Sequence, residues 1–583
     1  MLFEKLKIFW ERAQNALAGA RAQPLLALLG LISGIISGIF VVLFRLIIET
    51  SQAGFLPGSD PENYEALAID ERLMLTASGG VILGLLFFLV SRAPIRVGVV
   101  HVMERLAYHE GHLPLKNAFM QFIGGSIALI TGQSGGREGP CIHLGAAAAS
   151  QLGQRLNLPN NSIRTLVACG IASAIAASFN TPLAGVIFAM EVVFMEYTIS
   201  GFTPVILAAV SATAVNRLVF GSTSIFVVPY LDLVSFWELP IIAIMGIGIG
   251  AVAATFIVML RYVTQWGQKI HFSLRMTIAG IGVGCCAVVA PEVMGIGYDS
   301  VNNALMGNML ITSLLVIILL KILATILTVG LTIPAGLISP SLFIGGMIGC
   351  LVGLLIQVVN FPVSPPGLYA MLGMAAMMGA TLQAPLAALL ALMELTGNVN
   401  IIFPGMLAVI SANLAAKELF ARESVYLSQI KGIGLDYKND PVSQSLRRLA
   451  VTSVMNKSFV IVDSKIDSVE AEQMLTKTNP HWLIVNKEEG KLLMPAADLA
   501  HFLKNNDDEK VIDLLEIPSN RRQIVSVRKQ ATLQQALMTI EEASAEAVYI
   551  LGFMGLSSDP IYGVATKSDI TEAYRMKGPS SYY

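Results

Sequence analysis

Charged residues are scarce in this chain. Lys, Arg, Asp and Glu make up 13% of its 583 residues, whereas soluble domains contain roughly 25%. Hydrophobic residues make up 54%, and apolar runs recur from residue 25 to residue 418. The formal net charge of -2 is far from the basic balance of a nucleic-acid-binding protein. The composition therefore predicts a membrane protein that contacts lipid and binds no nucleic acid.

Residues with catalytic or metal-binding chemistry are few and scattered. The five cysteines lie in apolar segments, and none has a metal-like spacing to a histidine, so buried thiols are expected rather than disulfides. No nucleophile–base pair stands out in the sequence. We therefore expect neither an enzyme nor a required cofactor. The cysteines are Cys141, Cys169, Cys285, Cys286 and Cys350.

The charge distribution divides the chain into domains. Charged residues are sparse up to about residue 435 and then become as frequent as in soluble proteins. Residues 1–24 mix apolar residues with Lys and Arg, which predicts an amphipathic helix at the cytoplasmic face and a cytoplasmic N-terminus. The C-terminal block is also expected in the cytoplasm, which requires an even number of crossings. The predicted segments are 1–24, a membrane domain 25–430, a linker 431–450 and a soluble domain 451–583.

The membrane domain contains an internal repeat. Residues 182–191 begin Pro-Leu-Ala and end Met-Glu, and residues 385–394 do the same. Upstream, the Gly/Pro break at 136–140 is matched by a similar break at 336–340. Matching breaks in two halves are the best sequence indication of a substrate site near the bilayer midplane. The two halves are about 25–220 and 235–430.

Several apolar segments are too short to cross a membrane alone. Residues 25–49 and 240–262 are long enough for a hydrocarbon core of ~30 Å, but 164–178, 182–195 and 385–395 are not. A helix that ends at membrane depth leaves unpaired N–H and C=O groups, which must face protein or water. These short helices therefore predict a buried polar pathway.

The break at 136–140 has the sequence Gly-Arg-Glu-Gly-Pro. Its glycines let backbone N–H groups approach a ligand, and Pro140 suits the first turn of the following helix. A helix N-terminus attracts anions, and an acidic residue at membrane depth is a functional candidate. We expect Glu138 to occupy an anion site when ionised and to leave it when protonated. The alternative is a structural ion pair between Glu138 and Arg137.

This segment resembles the central signature of the CLC chloride channels and proton/chloride antiporters. Similar family motifs follow at 180–185 with Glu191, at 333–340 and at 424–426. The resemblance extends over essentially the whole chain, since many members append two CBS motifs. It implies a multi-pass α-helical membrane protein with two inverted structural repeats and broken helices. It also implies a homodimer with one pathway per subunit.

The resemblance assigns roles to individual residues. Glu138 would be the gating glutamate. The backbone amides of Leu337 and Ile338 would line the anion site, and Tyr426 would donate its hydroxyl from the cytoplasmic side. The implied anion-binding set is Arg137, Gly139, Val97, Gly98, Val99, Leu337, Ile338 and Tyr426.

The chain departs from the family pattern at the anion site. The family's Gly-Ser-Gly-Ile-Pro segment corresponds to 96–100, where Val97 replaces the serine. The site therefore loses a hydroxyl donor, while Arg96 adds a cation or simply flanks a helix end. Ile338 stands in place of an aromatic residue. Chloride is the expected anion, but these departures leave the preference open.

A further departure concerns protons. In the family's exchangers an internal glutamate directly follows the residue matched by Glu191, but here that position is Val192. Valine cannot relay a proton. Glu196, one helical turn beyond, could substitute, although a solvated helix end is the plainer interpretation. Val192 therefore favours passive conduction.

Other polar residues lie in apolar surroundings. Lys321 could snorkel, form a pair, or raise the positive potential of the pathway. His101 and His143 could titrate near neutral pH, and His143 lies little more than one turn past Glu138. Satisfied core histidines are the simpler expectation.

The soluble block resembles a CBS pair, with halves at about 451–516 and 522–578. Strand-like runs flank helical periods at 467–477 and 532–543. Thr566 and Asp569 match the pattern that holds a nucleotide ribose in the family, so an adenine nucleotide is a possible ligand. A purely structural regulatory pair fits as well.

These features predict a CLC-type protein of the cell inner membrane that conducts an anion and is gated by Glu138. The main prediction is channel-like transport without conventional proton coupling. One alternative is a proton-coupled anion antiporter. Another is a membrane sensor that transports nothing and signals through its CBS pair.

Overall fold

A computed structural model describes residue 17 and residues 23–91, 94–195, 199–222, 226, 232–358, 364–435, 441–487, 490–506, 510–552 and 560–576. The predicted N-terminal helix at 1–24 lies almost entirely outside this part of the chain, as do Glu196 and linker residues 436–440. The chain forms two compact units: residues 26–154 with 164–438, and residues 1–25 with 155–163 and 439–583.

The larger unit is helical. Among the residues that the structure describes, nine helices are long and apolar enough to cross a membrane. Their exposed faces carry Leu, Ile, Val and Phe, as expected for contact with lipid. The helices are Gln23–Phe55 (α1), Ile69–Val90 (α2), Gly98–Tyr108 (α3), Leu115–Ile130 (α4), Glu138–Arg155 (α5), Asn160–Phe179 (α6), Pro182–Phe188 (α7), Ile199–Phe220 (α8), Leu239–Gly267 (α9), Phe272–Val289 (α10), Tyr298–Leu305 (α11), Ile311–Gly330 (α12), Ile338–Val358 (α13), Pro366–Leu382 (α14), Pro385–Thr396 (α15), Ile402–Leu414 (α16) and Val425–Gly432 (α17).

The short helices are mostly where the sequence predicts them. Helix α7 has 7 residues and continues into a π-helical turn at Ala189–Phe194, and α15 has 12 residues. The prediction for 164–178 was wrong, because α6 has 20 residues and is long enough to span. Its N-terminal turn includes Arg164, which reads as a boundary in the sequence. That side chain is instead buried and donates to the carbonyl of Leu106.

The two repeats meet at equivalent glycines. Residues 121–140 and 321–340 have the same succession of helix end, turn, short extended contact and helix start. Gly136 and Gly336 pair in an antiparallel bridge, with N···O distances of 2.9 and 2.7 Å. Equivalent residues that pair antiparallel are related by a local two-fold axis. The bridge therefore lies on the axis that relates the two halves.

A second reciprocal contact obeys the same symmetry. The Glu191 carboxylate accepts hydrogen bonds from the N–H groups of Leu386 (3.2 Å) and Ala387 (2.7 Å) at the start of α15. The equivalent Glu394 accepts from Leu183 (3.0 Å) and Ala184 (2.8 Å) at the start of α7. Each half thus caps a helix of the other half, and each carboxylate satisfies otherwise unpaired N–H groups.

The smaller unit contains an α/β region with its own internal repeat. Its six-stranded sheet has the order β1-β3-β4-β6-β7-β8, and β2 pairs with β5. In the first half β1 pairs parallel with β3, and β3 pairs antiparallel with β4. In the second half β6 pairs parallel with β7, and β7 pairs antiparallel with β8. The antiparallel contact of β4 with β6 joins the halves. The elements are Pro441–Arg447 (α18), Phe459–Asp463 (β1), Lys465–Asp467 (β2), Ser468–Thr478 (α19), Trp482–Asn486 (β3), Lys491–Pro495 (β4), Ala496–Asn505 (α20), Val511–Asp513 (β5), Arg522–Arg528 (β6), Leu533–Glu542 (α21), Ala547–Leu551 (β7), Gly563–Thr566 (β8) and Lys567–Met576 (α22).

The predicted helical periods at 467–477 and 532–543 are confirmed by α19 and α21. The topology is compatible with a CBS pair.

Removing one reciprocal cap should destabilise the membrane unit. Glu394→Ala leaves the N–H groups of Leu183 and Ala184 without their carboxylate. We expect the free energy of unfolding to fall by about 0.5–2 kcal/mol, the usual cost of a lost helix cap. Denaturant unfolding in detergent, followed by intrinsic fluorescence, measures this change.

The matched control is Glu423→Ala. Its partner Lys431 is also largely exposed, and exposed ion pairs contribute about 0–1 kcal/mol. Equal stability of the two variants would contradict the capping role.

Candidate functional site

Glu138 lies in the first turn of α5 and is completely buried. Its carboxylate accepts a hydrogen bond from the backbone N–H of Ser339 and another from the Ser339 hydroxyl, both at 2.9 Å. Ser339 is in the first turn of α13, so the first turns of two symmetry-related helices meet here. The positive ends of both helix dipoles favour a negative charge at this point. The Glu138 carboxylate thus occupies a position whose donors suit a negative group. We call this position, formed by the N–H and hydroxyl of Ser339, the seat.

Two glycines make room for this seat. A Cβ atom on Gly136 would lie 2.0 Å from one carboxylate oxygen of Glu138. On Gly336 it would lie 2.5 Å from a carboxylate oxygen and 2.6 Å from the backbone nitrogen of Gly139. Any side chain at 136 or 336 would therefore fill the space that the carboxylate occupies. The glycines of the two breaks are required by this close approach.

A cavity of about 450 Å³ lies next to the site, because Gly139 and Gly336, which adjoin the Glu138 carboxylate, are in its lining. It brings together most of the residues that the sequence singles out, because the starts of α3 and α5, the 332–337 segment and α17 converge on it. The predicted site residues among its lining are Arg96, Val97, Gly98, Val99, Gly139, Leu337 and Tyr426. Arg96 and Arg275 are cations at its wall, and a cationic wall attracts anions.

Of two hydrogen-bond donors at the cavity, one lacks a partner and the other is already engaged. The Tyr426 hydroxyl is buried and has no hydrogen-bond partner among the described residues, so it is free to donate to an anion. The backbone N–H of Gly98 is already occupied, because it donates to the Gln121 side-chain oxygen at 2.6 Å. Gly98 thus lines the cavity, but its amide is engaged by Gln121 in this structure.

Arg137 does not face the cavity. Its guanidinium donates to Glu49 at 3.3 Å and to the Ser178 carbonyl at 3.1 Å, and it lies 5.5 Å from the centre of the Tyr298 ring. The alternative of an ion pair between Arg137 and Glu138 is not what the structure shows. The two neighbouring side chains point to different partners.

Two residues of the site are not among those predicted from the sequence. Ser339 supplies a hydroxyl where the substitution at Val97 removes one, and Gln121 occupies the Gly98 amide. A serine in the first turn after the second Gly/Pro break is the one sequence signal that indicates a donor. Ile338 is buried beside Ser339, and its backbone N–H also faces the Glu138 carboxylate.

Three other candidate pathway residues, Lys321, Glu191 and Val192, are not part of the cavity lining. Lys321 is buried and donates to the carbonyls of Val293 (3.1 Å) and Gly295 (3.0 Å), so it holds a loop in place rather than snorkelling. Glu191 caps α15, and Val192 is a buried apolar residue of the π-helical turn. Arg96 is ion-paired with Glu104. Glu196 lies outside the described residues.

The proposed nucleotide residues bind each other. Asp569 accepts hydrogen bonds from the backbone N–H (2.8 Å) and the hydroxyl (2.7 Å) of Thr566 at the start of α22. Thr566 is buried, whereas Asp569 is partly exposed. A nucleotide would have to share or replace these contacts.

Comparison with known proteins identifies the family. The model of the voltage-gated chloride channel family matches residues 79–417. The chain belongs to the CLC family. A ClcB-like protein of Ralstonia nicotianae is 30% identical over 67% of this chain and 93% of its own length. The H(+)/Cl(-) exchange transporter ClcA of Vibrio cholerae is 29% identical over 53% of this chain and 68% of its own length. The crystal structure of a eukaryotic CLC transporter superposes with a TM-score of 0.60 at 19% identity, over 93% of this chain and 97% of that one.

Membership has direct consequences for the predictions. This CLC protein is a multi-pass membrane protein that transports anions. The presence of a proton/chloride exchanger among its relatives favours the antiporter alternative over the channel-like transport that Val192 suggests. The C-terminal α/β region has a topology compatible with a CBS pair, and it lies outside the residues that the family model matches.

An acidic residue lies on the far side of the gate from the cavity. Helix α2, with 22 residues, spans about 33 Å at 1.5 Å per residue and separates the Glu62 loop from the cavity residues at 94–98. Burial raises the pKa of Glu62 to about 7, against the opposing attraction of Arg137 and Lys321. Glu62 therefore changes charge near neutral pH and modulates the positive field around Arg137.

The first prediction from this site concerns Glu62. Below pH 7 the residue is neutral, the field of Arg137 and Lys321 is uncompensated, and anions should enter more readily from that side. Glu62→Gln should hold the rate of anion uptake, between about pH 6 and pH 8, at the rate that the unmodified protein shows at acidic pH. A group with this pKa titrates in that range. Chloride flux into liposomes at varied pH on one side measures it.

Asp70→Asn, an exposed acid on α2, is the control and should leave the pH dependence as in the unmodified protein. A titration near pH 7 that survives Glu62→Gln would rule out this role.

The second prediction concerns the hydroxyl at the seat. In a Glu138→Gln background, Ser339→Ala removes one donor to the bound anion and leaves the backbone N–H in place. A hydrogen bond to a charged group contributes about 1.5–3 kcal/mol, so chloride should bind at least ~10-fold more weakly. Isothermal titration calorimetry measures the affinity.

Ser341→Ala serves as control, since its hydroxyl donates to the Leu337 carbonyl within α13. Unchanged chloride affinity in the Ser339 variant would show that the hydroxyl is not an anion ligand.

Proposed function

We propose that this CLC protein exchanges a chloride-class anion for protons, with Glu138 as the group that couples the two. One observation carries the proposal: the Glu138 carboxylate sits on the amide and hydroxyl of Ser339, where the N-terminal turns of α5 and α13 meet. This seat suits either a carboxylate or an inorganic anion, and not both at once. Competition for it links anion occupancy to the protonation of Glu138.

The exchange cycle follows from this competition. An ionised Glu138 excludes the anion from the seat. Protonation removes the negative charge, so the side chain releases the amides and an anion arriving through the cavity takes its place. The free Tyr426 hydroxyl and the cations Arg96 and Arg275 support anion passage from the cavity side. Glu138 then gives up its proton, and the carboxylate so formed returns to the Ser339 donors and expels the anion.

Passive conduction is the second candidate. Val192 favours it, because this buried valine stands where the family's exchangers have a glutamate that receives protons. The relationship to an H(+)/Cl(-) exchange transporter favours exchange. The proton must then reach Glu138 by another route.

The proposal includes location and assembly. We place the protein in the cell inner membrane as a homodimer with one pathway per subunit, as the family implies, and with both termini in the cytoplasm. Arg96 and Lys269 lie in connections at or near the cavity end and Arg275 lies in the first turn of α10, and cytoplasmic ends are rich in Lys and Arg. The C-terminal α/β region would be a regulatory CBS pair, with an adenine nucleotide near Thr566 and Asp569 as its possible ligand.

Glu138→Gln tests the coupling. Glutamine has nearly the same shape but cannot carry a proton or a charge. In liposomes with a chloride gradient and no pH gradient, the unmodified protein should drive protons uphill. The variant should drive none, and its chloride flux should no longer depend on pH. A chloride electrode and a pH electrode in the same chamber record both fluxes.

Glu423→Gln, at an exposed ion pair of α17, should behave as the unmodified protein does. Chloride flux without any proton movement by the unmodified protein would support the passive candidate instead. Proton pumping that persists in Glu138→Gln would exclude Glu138 as the coupling group.

A further inference from the structure

We infer that His101 is a proton-binding residue of the cavity and that His143 positions it, together replacing the glutamate missing at Val192. This inference rests on the proposed proton exchange. It starts from a buried histidine pair that the transport cycle leaves unused. His101 lies on α3 and His143 on α5, five residues after Glu138.

The two imidazoles form one hydrogen bond. His101 Nδ1 lies 3.0 Å from His143 Nε2, with the rings nearly perpendicular at 86°. Both residues are buried, with 4% and 0% of their surface exposed. A bond between two ring nitrogens needs one donor and one acceptor, so one imidazole fixes the tautomer of the other.

The histidine pair leaves one buried ring nitrogen without a hydrogen bond among the described residues. His143 Nδ1 is buried and has no hydrogen-bond partner among the described residues. His101 Nε2 accepts a hydrogen bond from the Asn117 side-chain N–H at 3.4 Å. Buried polar atoms are nearly always paired, and an exception asks for an explanation. An unpaired ring nitrogen in a dyad whose other imidazole lines a cavity indicates a site that exchanges protons with water.

The dyad is connected to the gate through the cavity. His101 is part of the cavity wall, and so is Gly139, the residue next to Glu138. A proton on His101 can therefore reach the neighbourhood of the gate through one continuous space. Val192 is not in the lining of this cavity, so the route differs from one that would pass the missing glutamate.

The proton step balances without a further reactant. His101 donates its Nδ1–H to His143 Nε2, which leaves Nε2 of His101 as the proton acceptor. This nitrogen takes a proton from cavity water, and the resulting imidazolium passes one proton through water to the Glu138 carboxylate. His101 returns to its neutral state, and Glu138 becomes neutral and leaves the anion seat.

The charges around His101 favour rapid release. Arg96, Arg105 and His109 are the basic groups near it, and the carboxylate of Glu104 is engaged by Arg96. Arg105 donates to the His112 carbonyl and stays in place. Among the described residues, His101 is the titratable group that contacts His143. A proton held among cations is released readily to an acceptor such as Glu138.

The test compares the ratio of proton to chloride flux in liposomes for four variants. Proton transfer by a positioned group typically contributes at least ~100-fold to rate, so His101→Asn and His143→Leu should each lower proton flux at least tenfold relative to chloride flux. His143→Gln keeps an acceptor oxygen for the His101 Nδ1–H and should restore most of the ratio. His501→Gln, in the exposed part of α20, is the control and should leave the ratio as it is.

The outcomes separate this inference from the proposed function. If the unmodified protein moves no protons, both fail. If it moves protons and His101→Asn keeps the same ratio, only the dyad's role is overturned. Loss of both fluxes from monodisperse His101 and His143 variants would also overturn it, because the pair would then be required for the anion. Failure of His143→Gln to recover the ratio would remove the positioning role of His143.

Discussion

The structure depends on a carboxylate held by the exposed N–H and hydroxyl groups of helix starts that meet inside the membrane. Helix ends at this depth are costly unless something satisfies them. Glu138 does so at the centre, and Glu191 and Glu394 do so at the second pair of broken helices. The two outer carboxylates are fixed caps. Glu138 differs because a cavity is lined by the glycines beside it, and the proposed transport role rests on this difference.

The internal symmetry explains why the Glu138 carboxylate and Ser339 meet near the axis between the two halves. Gly136 and Gly336 pair on the two-fold axis, so both breaks deliver their following helices to the same point. The two halves then diverge in chemistry. The first half contributes the acid Glu138, and the second contributes the donor Ser339. In the proposed cycle, one half thus provides the movable charge, and the other provides part of the site for which that charge and the anion compete.

Much of the fold could be predicted from the sequence, because Gly/Pro breaks and apolar runs are local signals. The breaks at 136–140 and 336–340 and the short helices α7 and α15 follow from them. The long-range hydrogen bonds of the site could not be predicted from the sequence. Ser339 meets an acid 201 positions away, and Gln121 takes the Gly98 amide through tertiary packing. The apolar run at 164–178 underestimates α6, because the helix begins at polar residues such as Asn160 and includes the buried Arg164, which donates to a buried carbonyl.

The most direct measurement is the position of a heavy halide. Crystals of the unmodified protein and of Glu138→Gln, both grown in bromide, would be compared by anomalous diffraction. The account predicts a bromide peak at the backbone N–H and hydroxyl of Ser339 in the variant, and none at that place in the unmodified protein at neutral pH. A bromide beside Ser339 while the Glu138 carboxylate still occupies its seat, or no bromide there in the variant, would contradict the shared seat.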